Sequence, residues 1–234
     1  MWQGSYLSAF RLIFSSDFSL INAFMATLAL FGASGKTGQQ VLAQALRQGS
    51  HVRALVRTPA KITTRDFRLE IIAGDVLNPA DVARTVQGAD AVVSVFGQVK
   101  GSPKDVQTVG TRHIVAAMRA HGIRRIISLS GGGLPFGPDQ PKLADRLIRG
   151  IMKLVVPQVL TDAAGHAEVL QASGLDWEIV RGPRLTDQPY TGQYRVGWVG
   201  VNASTSIGRA DLAEFILKQV DSDEFVGQMP FVSY

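Results

Sequence analysis

A chain of 234 residues, 46% hydrophobic and 18% charged, has a globular composition and the length for one α/β domain. The absence of cysteine excludes disulfides and thiolate chemistry, and the scattered histidines His51, His113, His121 and His166 offer no metal-ligand spacing, so no metal is expected. A net charge of +5 suits anionic ligands, but the cations form no run with interleaved aromatics, which argues against nucleic acid.

Residues 1–24 are aromatic-rich, and their longest apolar run is Leu12-Ile13-Phe14, far short of the ~20 residues of a membrane span. They read as an extension or leader ahead of a start at Met25. The alternative is an amphipathic segment on a membrane or partner, which has too few basic residues to hold anionic lipid. With no clear signal-peptide pattern the protein is expected to be cytoplasmic, without a membrane partner, as a monomer or weak homodimer.

From residue 25 to 234 short apolar runs alternate with helical patterns, the mark of βα units in a single domain. Strands are expected at 27–31, 51–56, 69–74, 89–97, 124–130 and 176–182. Helices are expected from Lys36, from Pro79, over 104–121, over 142–173 with a break at Pro157, and over 208–220. "YTGQYRVGWVG" alternates as an edge strand or hairpin does, and "MPFVSY" closes the chain as a short strand.

The stretch "LALFGASGKTGQQVL" allows two readings. A triphosphate-binding P-loop needs four residues between its first glycine and Gly35-Lys36-Thr37, but position 30 is Leu30, inside the strand. The dinucleotide reading fits. Gly32 turns the chain, Gly35 admits a pyrophosphate, and Gly38 lets the helix pack on the sheet. Ser34, Lys36 and Thr37 then lie at a helix N-terminus, where N–H groups and the helix dipole favour an anion. The second strand ends in "HVRALVRTPAK", without the acid that an NAD site sets against the ribose 2′-hydroxyl. Arg57 and Lys61 stand there instead and favour the 2′-phosphate of NADP(H).

Several ordered stretches, "ALFGASGKTG", "ALVRTPAK", "GDVLNPADVARTVQGADAVV", "VGTRHIVAAM", "ASGLDWEIVRGPRLTDQPYTG" and "GRADLAEFIL", carry a resemblance. The sequence resembles the atypical short-chain dehydrogenase/reductases of the NAD(P)H-binding, NmrA-like type, nearest their flavin and biliverdin-IXβ reductases. The resemblance implies a Rossmann-like doubly wound parallel sheet with helices on both faces and a small C-terminal elaboration. It implies that Asp75 and Val76 flank the adenine, that Phe96 and Gly97 line the cofactor cleft, and that Ser130 or its neighbour approaches the nicotinamide. Pro183, Arg184 and Leu185 would wall the nicotinamide and substrate.

Two departures shape the expected chemistry. No tyrosine is followed four residues later by lysine, so the usual proton donor of alcohol–ketone reduction is missing. The family's serine and loop-histidine places fall on Gly131, just after Ser130, and on Arg184. An arginine does not donate a proton near neutral pH, but it clamps a carboxylate or phosphate. The expected activity is hydride transfer from NADPH to a flat, conjugated acceptor such as a flavin, bilin or quinone, with Ser130 and Arg184 as the catalytic-site residues. A non-catalytic NADP(H)-binding sensor or assembly protein is the alternative, followed by a nucleotide-sugar epimerase-like enzyme. His166 and Glu168 read as orienting or surface residues, and Trp177 and Trp198 as packing.

Overall fold

The computed structural model describes residues 26–234; the readings made for residues 1–24 lie outside the described residues. Six parallel strands carry the sheet: β1 (Thr27–Phe31), β2 (His51–Val56), β3 (Leu69–Ala73), β4 (Ala91–Ser94), β5 (Arg125–Gly131) and β6 (Asp176–Gly182). Two further strands extend it, β8 (Arg195–Gly197) and β10 (Phe231–Ser233), giving the order β3-β2-β1-β4-β5-β6-β10-β8. β10 runs parallel to β6, and β8 closes the edge antiparallel to β10. The strand order reverses between β1 and β4, the place where doubly wound sheets open a ligand crevice at their carboxyl edge.

Alternating strand residues feed two cores. On one face α1 (Lys36–Arg47) and α6 (Arg209–Lys218) bring Val41, Leu42, Leu212 and Ile216 against Leu28, Leu30 and Val93. On the other, α2 (Pro79–Val86), α3 (Val106–His121) and α5 (Pro157–Gln171) bring Val82, Ile114, Met118 and Leu170 against Phe31, Val92 and Ile126. Each such aliphatic side chain, fully buried, contributes roughly 1.5–3 kcal/mol. Gly122 ends α3 in the left-handed conformation, at φ 72°, as a C-terminal cap requires.

The sequence-based elements agree with this architecture, with two differences. The fourth strand was expected over 89–97, but its ladder stops at Ser94, opposite Phe31, where β1 turns away at Gly32. The helical stretch over 142–173 breaks at Pro157 as expected, into α4 (Leu143–Val155) and α5, because proline starts a new helix and cannot continue the old one. A separate two-stranded sheet joins β7 (Arg184–Thr186) to β9 (Ser206–Gly208), bringing the segment after β6 against the N-terminus of α6. The alternating "YTGQYRVGWVG" stretch forms β8 and a hairpin tip with a Trp198–Val201 bridge.

Candidate functional site

The turn after β1 is held by contacts that only glycine permits. Gly32 has φ +92°, and a Cβ there would stand 2.6 Å from the backbone nitrogen of Phe96. A Cβ on Gly38 would meet the Gly32 carbonyl oxygen at 2.0 Å. Gly35 differs: its Cβ would meet only that oxygen, at 3.4 Å. Packing within the protein therefore does not require a glycine there. As N-cap of α1, Gly35 supplies no side-chain acceptor, so the first-turn N–H groups stay available to an anion.

One cleft at the β1/β4 switch gathers Gly32, Ser34, Arg57, Asp75, Val76, Phe96 and Gly97. Gly110 lets α3 approach this floor, since a Cβ there would stand 2.8 Å from Val76. The Asp75 carboxylate accepts from its own loop, at Leu77 N–H (2.9 Å). These residues fit a dinucleotide: a glycine turn, a helix N-terminus without a side-chain cap, and a cation at the tip of β2.

Other expected residues fall elsewhere. Lys61 lies exposed in the short 3-10 turn Pro59–Lys61, outside the cleft lining. Thr37 and Gly38 are buried behind the loop. The Lys36 ammonium turns away to Asp187, at 2.8 Å, and Arg209 donates to the same carboxylate. The hydrogen bond from Lys36 and the charges of both cations hold the Asp187 carboxyl below its ordinary range. An ion-pair bridge thus spans the start of α1 and the loop after β7.

Beyond the ends of β5 and β6 lies a second cavity, of about 630 Å³. Gly131, Gly132, Pro183, Arg184 and Phe231 line it, and α4 forms a wall with Ile148, Arg149 and Met152. Leu185, one residue past Arg184, points the other way and packs on the α1/α6 core. The Ser130 side chain is buried, outside the cavity lining, and its hydroxyl has no hydrogen-bond partner. The floor is fixed by Arg181, which is fully buried. Its guanidinium donates to both Asp139 oxygens, at 2.7 and 2.8 Å, and to the carbonyls of Leu134 and Met229. Burial alone would raise the Asp139 carboxyl, but the hydrogen bonds and charge of Arg181 outweigh it and hold the group low. Trp198 packs on Phe136 above this pair, with ring centroids 5.5 Å apart, whereas Trp177 belongs to the core.

A buried network supports the cleft from behind; of its members only His166 is singled out by the sequence. Asp162 on α5 accepts from the N–H groups of Gln107 and Thr108 at the start of α3, at 3.0 and 2.8 Å. It also accepts from Gln98 Nε2 at 3.0 Å, which anchors the loop after β4. One helical turn on, His166 Nε2 lies 2.7 Å from Ser128 Oγ. Burial pushes the His166 imidazole down to about 4, so it is neutral near physiological pH. His166 is thus a buried orienting residue and Glu168 a surface one. The signal available in the sequence was the four-residue spacing of Asp162 and His166 on the same face of the helix as Ala163, Ala167 and Leu170.

Fold, strand order and glycine cradle together define a dinucleotide-binding Rossmann protein. Sequence comparison makes the class specific: the NAD(P)H-binding family matches residues 32–223. The chain belongs to that family, whose character is oxidoreductase-like. It is 23% identical to the uncharacterized protein YwnB of Bacillus subtilis over 203 residues, 84% of this chain and 93% of that protein. Over 111 residues, 44% of this chain and 34% of the relative, it is 29% identical to the photosystem II assembly factor Ycf39 of Trieres chinensis. Among solved structures, a short-chain dehydrogenase/reductase from Veillonella parvula in complex with NADP superposes with a TM-score of 0.71 at 19% identity. That match covers 89% of this chain and 94% of the other and shows a shared fold. Among the described residues no helix is long and apolar enough to cross a membrane.

Proposed function

We propose that the chain is an NADPH-dependent reductase that hands hydride to a flat, conjugated acceptor of the flavin, bilin or quinone class. The observation that carries this reading is the composition of the 630 Å³ cavity. Its walls are mainly apolar, Arg146, Arg149 and Arg184 project among them, and among the described residues no tyrosine, histidine or lysine lines it. Its two acids are engaged: Asp139 is held ionised by Arg181, and Asp145 accepts the Lys142 N–H. Such a site positions an anionic, conjugated molecule without supplying a proton, which suits acceptors able to collect theirs from water. The arginines would clamp a carboxylate or phosphate, and the glycines at the end of β5 would let a flat ring lie close to the backbone.

When bound, NADPH supplies the hydride. The protein's part is to hold it with the Gly32–Gly38 turn and the first turn of α1, and to orient the acceptor with Arg184. Preference for the 2′-phosphate is assigned to Arg57, the cleft's cation at the tip of β2. Arg57→Ala is expected to weaken NADPH about 10- to 100-fold, the worth of a charged hydrogen bond, and to leave NADH unchanged. Equal loss for both coenzymes would refute the assignment.

The activity is tested by following the reduced-nicotinamide absorbance of an NADPH mixture with and without FMN, biliverdin or a soluble quinone. Acceptor-dependent consumption supports the reductase reading; tight NADPH binding without it sinks that reading. The second outcome would favour an NAD(P)H-binding sensor or assembly protein. That alternative draws on the buried, unpartnered Ser130 hydroxyl and on the partial likeness to an assembly factor.

A further inference from the structure

Helix α4 is turned inside out. An amphipathic helix on a globular protein ordinarily buries its apolar stripe. Here none of the thirteen residues is buried, and Leu143, Leu147 and Leu154 expose 83%, 66% and 85% of their surface. With about 100° per residue, these three together with Ile151 and Val155 fill an outward arc of roughly 120°. Asp145, Arg149 and Met152 are the half-buried positions, centred about 150° away and facing the cavity. The polar turn therefore faces the protein and the apolar one faces out. Val159, on the first turn of α5, extends the apolar surface.

Charge beside this face identifies what covers it. Lys142 and Lys153 fall on one flank of the helix, roughly 20° apart, with Arg146 beside them at the rim of the cavity. From Leu134 to Thr161 the acids are Asp139 and Asp145, both already engaged. An apolar stripe bordered by long cationic side chains matches an anionic bilayer leaflet, where the stripe enters the acyl boundary and the cations reach the headgroups. A second copy packed antiparallel would set both basic flanks on the same side of the seam, with no acid to meet them. Ile148 belongs to both surfaces: it is half-exposed at the rim of the outer stripe, and it lines the cavity.

We propose that α4 is an interfacial helix that docks the protein on an anionic lipid bilayer and holds the mouth of the 630 Å³ cavity at the lipid boundary. The docking face differs from the sequence-based expectation of no membrane partner, which rested on residues 1–24 and on the absence of a spanning run. It does not depend on the reductase reading, and vesicle binding is scored separately from turnover.

The test is co-sedimentation of the full chain with phosphatidylcholine vesicles, alone or with about a third phosphatidylglycerol. Partition into the anionic vesicles is expected to be at least about tenfold stronger and to fall with added salt. Leu147→Glu with Ile151→Glu is expected to cut binding by at least about tenfold, with an unchanged thermal melt because both side chains are exposed. Lys142→Gln with Lys153→Gln should reduce the preference for anionic over neutral vesicles. Three results would overturn the proposal: no binding by the wild type, wild-type binding by the Leu147/Ile151 variant, or a dimer that dissociates in that variant while vesicles are ignored.

Discussion

Two buried titrating groups, Glu178 on β6 and His166 on α5, predict an unusual pH profile of stability. Glu178 is fully buried; Arg125 donates to its Oε2 at 2.9 Å, and its Oε1 has no partner. Burial pushes this carboxyl from 4.5 up to about 7, against the lowering effect of Arg125. Burial pushes His166 the other way, from 6.5 down to about 4. Folded Glu178 keeps its proton between 4.5 and about 7, where the unfolded chain has lost it. Its stabilising contribution is complete below 4.5 and is lost as pH rises through about 7. His166 is neutral in the fold and charged in the unfolded chain below 6.5, so its contribution is present above 6.5 and lost as pH falls toward about 4. Each slope is about 1.4 kcal/mol per pH unit, and in the overlap they cancel.

Removing one group unmasks the other. Stability of Glu178→Gln, relative to wild type, should rise by about 3 kcal/mol in all between pH 4.5 and 7, a relative gain in melting temperature of roughly 6–12 °C. His166→Gln should show the opposite trend between pH 6.5 and 4. Urea melts of the three proteins at half-unit pH steps measure both. Difference curves that stay flat with pH would refute the linkage, because a group with the same proton affinity folded and unfolded gives no slope.

Other perturbations separate packing from ligand space. Gly38→Ala places a methyl 2.0 Å from the Gly32 carbonyl and should disrupt the turn and lower the melting temperature. Gly35→Ala meets nothing closer than 3.4 Å and should fold normally, yet lose NADPH affinity by titration; wild-type affinity would show that the pyrophosphate passes elsewhere. Asp139→Ala strands the buried Arg181 guanidinium and should cost about 3–5 kcal/mol in denaturant melts. Asp187→Ala breaks an exposed ion pair and should leave the melting curve nearly unchanged; a clear loss of stability would mean that the Lys36 bridge carries load across the site.

The nucleotide half was legible because its signals are local. Strands β1 to β3 are apolar runs bounded by turn residues, and Gly32, Gly35 and Gly38 sit between a strand and a helix, where their spacing has one mechanical use. The half that holds the second cavity depends on pairings that sequence does not announce. β7 and β9 have three residues each, too short for any period, and they meet across some twenty intervening residues. The Arg181–Asp139 pair joins a strand to a loop 42 positions away. Lys36 read as a helix-start residue near the pyrophosphate because its partner, Asp187, lies 151 residues on. α4 shows the limit most clearly: periodicity locates an apolar face but does not say whether protein or something else covers it.

α4 also has a consequence for descent. The nucleotide turn rests on backbone contacts that admit no side chain at Gly32 or Gly38, so divergence there is stopped at the level of folding. The 630 Å³ cavity is bounded on one side by a helix that contributes no buried residue, so substitutions along it leave both hydrophobic cores intact. Substitutions lining the cavity along α4 are therefore expected to cost folding less than substitutions in the nucleotide turn.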